Sequence, residues 1–355
     1  MEVINHTPLQ FGTLTSKWPQ GNVFLTIIVK GTFDMTPGKP AAISSKQIPL
    51  FYGDEFYDEK KGGGLRFEAD TAPFKPRADI VLVGRAYVPE GRPLKVLDTA
   101  LRIGPVSKTI RVFGDRRWKY GGRLLPESMT EPEFFTVMDL VYERAFGGMD
   151  MKSGQRCEEN PAGCGFFTKK SRETFDKAPL PNLEDPAHLI RKWDDHPRPV
   201  GFGFYGKAWM PRVSYLGTYD EKWEKERCPD LPADFCFDFY NAAHPDLQVE
   251  GYLKGDEAVE LIHLSPEGIL RFMLPRIRPS AVVMQPSSGD PDAPPVVKEV
   301  AMNLDTLCLL PEQKQLYAVW RGRHPVSDMT AMEIKKLRLS MRVIPQRERT
   351  DASRA

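Results

Sequence analysis

Proline sets the first limit on what this chain can fold into. The 355 residues include 32 prolines and 28 glycines. Proline has a fixed φ and no backbone N–H, so it breaks helix interiors and central strands. Prolines spread from Pro8 to Pro345 leave room for short elements and many turns. Hydrophobic residues still make up 41% of the chain, enough for a substantial core. The expected fold is mainly β: two packed antiparallel β-sandwich-like units joined by a long Gly/Pro-rich central segment, with few short helices.

Periodicity places the parts. Residues 1–125 and 200–345 read as the two β units, 126–199 as a central loop and proline-rich arm, and 346–355 as a disordered tail. In 23–33, Val23, Leu25, Ile27 and Val29 fall on one strand face. Phe24 and Ile28 fall on the other, so that face is also partly covered. Ile80-Val81-Leu82-Val83-Gly84 is a buried strand, and alternating strands follow at 95–103 and 108–113. Residues 259–264 and 269–274 form a hairpin across Ser265-Pro266-Glu267-Gly268. A second hairpin spans 304–310 and 315–320, and 337–343 alternates as a last strand. Asp220 caps a short helix over 219–227, with Pro229 beyond its end. Residues 232–240 alternate as a strand, with Phe235, Phe237 and Phe239 on one face. Residues 130–146 fit neither period cleanly; Thr130-x-x-Glu133 resembles a capping box, but the segment leans to strand. Residues 285–295 read as a polar surface loop.

Between the units, residues 142–167 carry Gly147, Gly148, Gly154, Gly163 and Gly165 together with Asn160-Pro161. Such a stretch folds tightly because glycine takes positive φ at little cost. Phe146, Phe166 and Phe167 would anchor it. Two readings stand side by side, a structural crossover and a docking loop. A phosphate loop does not fit, since no Gly-Lys-Ser/Thr follows Gly147-Gly148.

Charge narrows the function classes. Lys+Arg is 49 and Asp+Glu is 48, a net charge of +1. That balance argues against nucleic acid held by phosphate neutralisation and against a polybasic membrane binder. The N-terminus lacks the basic and apolar stretches of a signal peptide, and no window approaches the ~20 apolar residues of a spanning helix. The expected location is the cytoplasm, where the five cysteines stay reduced. Cys157 and Cys164, and Cys228 and Cys236, are spaced too widely for zinc pairs. No metal and no cofactor are expected. Gly-x-Ser-x-Gly and His-Glu-x-x-His are both absent. The densest chemical cluster, Asp194-Asp195-His196, with Glu143 as a further carboxylate, carries the alternative reading of a hydrolase-like enzyme.

Several motifs then recur in a telling order. They include Pro76-Arg77-Ala78-Asp79, Val83-Gly84, Gly114-Asp115-Arg116 with Trp118, and Tyr142-Glu143-Arg144-Ala145-Phe146-Gly147-Gly148. Asn160-Pro161-x-Gly163-x-Gly165, Gly201-Phe202-Gly203 and Trp209-x-Pro211-Arg212 follow. Gly217-Thr218-Tyr219-Asp220 with Trp223, and Leu231-Pro232-x-Asp234-Phe235, complete the set. The chain resembles a bacterial family long catalogued as a domain of unknown function and found beside type VI secretion genes. The resemblance extends to about Trp320-Arg321-Gly322. Cys236-Phe237-Asp238 departs from a more acidic, asparagine-rich run.

The resemblance implies a cytoplasmic adaptor or chaperone that binds a toxic effector and helps load it onto a PAAR-like tip protein and spike protein. It supplies no catalytic residues. Aromatic and arginine side chains on preset loops make interface anchors. On that ground Tyr142, Arg144, Phe146, Trp209, Arg212, Tyr219 and Trp223 are the candidate protein-binding residues. A structural component of the secreted particle is a third reading.

Overall fold

The chain is described by a computed structural model covering residues 1–58, 63–121, 127–171, 175–286 and 294–345. Val23–Asp34 is the axis of the largest sheet. Its alternating apolar residues are buried on both faces over most of its length, as a central strand requires. Gln315–Pro325 runs antiparallel along one side, from Gln315 opposite Asp34 to Pro325 opposite Phe24. Gln10–Lys17 pairs with the other side. Asn303–Leu310 forms a hairpin with Gln315–Pro325, and Ala78–Leu82 adds to it in parallel. Gln248–Val249 closes this seven-stranded sheet, and Ala42–Ile43 pairs at its corner.

A five-stranded sheet runs in the order Leu183–Glu184, Val106–Phe113, Val96–Ile103, Ala258–Ile262, Ile269–Met273. A four-stranded sheet runs Glu2–Asn5, Arg338–Pro345, Ile277–Gln285, Val296–Val300. The fold is mainly β, and both expected hairpins form.

The strands of 1–125 and 200–345 are interleaved. Each of these three sheets takes strands from both segments, and one apolar cluster runs through all three. Periodicity identifies which side chains are buried; it leaves open which strand edge a backbone pairs with. A second, smaller cluster of Trp118, Phe146, Phe175, Leu180, Ile190 and Trp193 belongs largely to the central segment.

The two α-helices among the described residues are single short turns. Asp220 caps Glu221–Glu226 by accepting from Trp223 N at 2.8 Å. Thr330 and Glu333 form a capping box on Ala331–Lys336. Among the described residues, no helix is long and apolar enough to cross a membrane.

Two local expectations are corrected. Residues 232–240 are not a strand: Phe237–Tyr240 is a 3-10 turn. The rings of Phe235, Phe237, Phe239 and Tyr240 cluster on one another, with centroids 5.3 to 6.3 Å apart, instead of alternating across a sheet. Within 130–146 only Val137–Asp139 and the first residue of Phe146–Gly147 are strand, and between them the chain turns through the 3-10 turn Tyr142–Arg144. The Thr130 hydroxyl accepts from Arg117 N at 2.9 Å, so it caps no helix. The tail 346–355 and residues 287–293 of the polar loop lie outside the described residues.

Candidate functional site: a cavity lined by arginines and carboxylates

The central loop is built on a buried asparagine. Asn160 Nδ2 donates to Tyr142 O at 2.8 Å and to Phe146 O at 2.9 Å. Phe146–Gly147 pairs in parallel with Cys164–Gly165, bringing the two ends of the loop side by side. Gly147 (φ 151°) and Gly148 (φ 92°) make that approach possible. A Cβ on Gly147 would lie 2.1 Å from Asn160 O, and one on Gly148 would lie 2.4 Å from Gly163 O. Asp150 fastens the outer part of the loop. Its carboxylate accepts from the hydroxyls of Ser171 and Thr168 and from the Thr168 and Lys152 amides. Burial opposes ionisation there, but these donors outweigh it and hold the carboxyl well below the usual range.

The fixed loop presents Glu143 and Arg144 to a cavity of about 740 Å³. Four further arginines line it: Arg66, Arg85, Arg116 and Arg117. Asp115, Asp139 and Glu312 join Glu143 as its carboxylates. Arg144 Nη1 donates to Asn182 Oδ1 at 3.0 Å and stands 3.7 Å from Asp115 Oδ1. Arg85 Nε sits 2.8 Å from Asp139 and 3.4 Å from Glu312. Arg116 pairs with Glu184, donates to Pro181 O at 2.7 Å, and lies over the Phe113 ring. Gly64 N donates to Glu143 Oε1 at 2.6 Å.

Two wall atoms keep unused hydrogen-bonding capacity. Arg116 Nε and Glu143 Oε2 are buried without a partner among the described residues. Cys164 also faces the cavity. Burial pushes its thiol up to about 11 despite Arg144 and Arg116, so it stays a protonated thiol at neutral pH. The arrangement suits recognition by charge and hydrogen bonding: donors and acceptors of both signs stand around one concave space.

Residues 20–321 match the model of a family described as an uncharacterized protein conserved in bacteria, DUF2169. The chain belongs to that family. All cavity-lining residues of this DUF2169 chain fall inside the matched region. Neither a curated protein nor a solved structure matches it.

The candidate contact residues of the DUF2169 chain divide three ways. Arg144 lines the cavity. Tyr142, Phe146, Trp209 and Arg212 are core residues, and their assignment as surface anchors is corrected. Tyr142 packs against Tyr205 and Trp209, with centroids 5.0 and 5.5 Å away. Phe146 belongs to the smaller apolar cluster. Arg212 is 2% exposed and pairs with Glu68 while donating to Tyr205 O at 2.6 Å and Phe239 O at 2.8 Å. Glu68 in turn meets Lys75, and Lys75 meets Asp79 at 2.7 Å. The third group is Tyr219, which is exposed, and Trp223; their rings are 4.7 Å apart. Trp223 Nε1 donates to Asp230 O at 2.8 Å. Neither lines the cavity.

The Asp194-Asp195-His196 cluster does not converge. Asp195 accepts from the Arg191 and Lys192 amides at 2.8 Å each, closing a local turn. The His196 Nε2 atom is 2.9 Å from Phe167 O, and its ring lies against Phe166. Glu143, the other carboxylate of that reading, faces the cavity instead. The residues that sequence reasoning missed are Arg66, Arg85, Asp139 and Glu312. They come from separate stretches, and only Arg116-Arg117 and Glu143-Arg144 gave a local charge signal.

Proposed function

We propose that this chain is a binding protein: an adaptor or chaperone that holds a toxic effector and helps load it onto a PAAR-like tip and the spike of a type VI secretion apparatus. The secretion context and a cytoplasmic site of action rest on the order of motifs from Pro76 to Phe235. One structural observation carries the binding part. A cavity of about 740 Å³ is lined by five arginines and four carboxylates, of which Arg85 and Arg144 face carboxylates of the same wall, while a buried donor on Arg116 and a buried acceptor on Glu143 have no partner among the described residues. Such a wall recognises a partner by complementary hydrogen bonds and charge.

Binding by mass action would stabilise the effector, by roughly 3 kcal/mol at a hundredfold excess over the dissociation constant. Co-expression with a toxic effector of a type VI secretion apparatus is the test. A rise in soluble toxin, and retention of toxin on the tagged chain, is the expected result. Unchanged toxin solubility, with a folded chain that retains none, would overturn the reading.

A further inference from the structure

We infer that the cavity beside Arg144 is the docking pocket for an acidic segment of the partner polypeptide, and that Arg66 and Arg117 are its outer contacts. This rests on the binding reading above and names the site and the chemistry of what enters it.

The arginines are unequally committed. Arg85 is spent on Asp139 and Glu312. Arg144 holds Asn182 and stands near Asp115. Among the described residues the Arg117 guanidinium makes a single hydrogen bond, to Lys177 O at 3.0 Å. Arg66 has no hydrogen bond or ion pair among the described residues and only lies near the Phe67 ring. Deeper in the wall, Arg116 is 6% exposed and its Nε has no partner among the described residues. Free guanidinium donors therefore run from the rim to the wall. Guanidinium groups match carboxylates with paired, charge-assisted hydrogen bonds.

The acceptors decide which anion fits. Glu143 Oε2 is buried without a donor among the described residues, and Asp115, Asp139 and Glu312 line the same space. A phosphate-rich polyanion would bring only acceptors to these carboxylates. A polypeptide brings backbone N–H groups for Glu143 and side-chain carboxylates for the arginines. A cavity of about 740 Å³ has the volume of pockets that take compact ligands, so a few residues of a chain fill it.

The experiment uses the full chain and a fluorescein-labelled decapeptide of glutamate and glycine, followed by fluorescence anisotropy. A lysine-glycine decapeptide and inorganic phosphate are the comparison probes. The acidic peptide should saturate, the lysine peptide should not, and added salt should weaken binding. The double variant Arg66→Gln/Arg117→Gln, with unchanged circular dichroism, should bind at least about tenfold more weakly. Arg117→Lys should recover only part of the affinity, because lysine lacks the paired fork. Equal affinity of wild type and double variant overturns the inference, as does displacement of the peptide by an equimolar amount of phosphate. Failure of the peptide with the wild-type chain, while the toxin still co-purifies, overturns this pocket alone and leaves the binding reading intact. Loss of toxin retention by the wild-type chain counts against the binding reading itself.

Discussion

Arg212 and Glu68 stand 144 positions apart in sequence and form one ion pair buried in the core. Arg212 also donates to the carbonyls of Tyr205 and Phe239. It ties the segment after the central loop to the β-rich first part of the chain. Burial alone would raise the Glu68 carboxyl, but Arg212 and Lys75 outweigh it and hold it below its ordinary value. Arg212→Ala leaves that carboxylate without its main partner in a dry site. The expected cost is about 3–5 kcal/mol, the range for breaking a buried pair. Urea denaturation read by tryptophan fluorescence measures it. A loss within about 0.5 kcal/mol, the surface range, would place Arg212 outside the folded core.

Two glycines of the same loop should behave differently. Gly147 has φ 151° and no room: its Cβ would meet Asn160 O at 2.1 Å. Gly154 has φ 72° but open space around it. Gly147→Ala should cost about 2–4 kcal/mol through backbone strain and displacement of Asn160. Gly154→Ala pays only for its backbone conformation, about 1 kcal/mol. Thermal melts of the two variants compare them directly. Equal losses would mean that the Asn160 anchor does not set the loop.

Stability against pH should carry two opposed slopes. Burial, opposed by Arg321, pushes Asp305 from 3.8 up to about 6. Burial, reinforced by Lys108, pulls His244 from 6.5 down to about 4. Folded Asp305 keeps a proton that the unfolded chain gives up, so its contribution falls as pH rises from about 4 to 6. Folded His244 lacks a proton that the unfolded chain takes up, so its contribution is lost as pH falls from 6.5 toward about 4. In the wild type the two largely cancel. Relative to it, Asp305→Asn should lose stability toward acid, and His244→Gln should lose stability toward neutral pH. Each change amounts to roughly 3 kcal/mol over that window. Denaturation midpoints across the window give the slopes. Three parallel curves would contradict the account.

Much of the fold is legible in local patterns. The strand Val23–Asp34 reads from its alternation, and the hairpin Ala258–Ile262 with Ile269–Met273 reads from the Pro-Glu-Gly turn between them. The pairing of Val23–Asp34 with Gln315–Pro325 does not, because nothing in either stretch names its neighbour across some 300 residues. The aromatic run at Phe235–Tyr240 misleads, since rings that pack on each other imitate the alternation of a strand. In the site, Glu143-Arg144 and the glycine-rich loop are visible as a unit. The cavity they join is not, because Arg66, Arg85, Asp139 and Glu312 converge only when the sheets assemble. Arg212 shows the limit from the other side. An arginine near aromatics reads as a surface anchor, whereas its buried carboxylate and carbonyl partners are set by distant backbone.

The most direct test of polypeptide binding is co-elution. The chain and the toxin proposed as its partner would be purified separately, mixed, and passed over a size-exclusion column. The account predicts one joint peak at a mass above either protein, diminished for Arg66→Gln/Arg117→Gln. Two separate peaks from two folded proteins would contradict it.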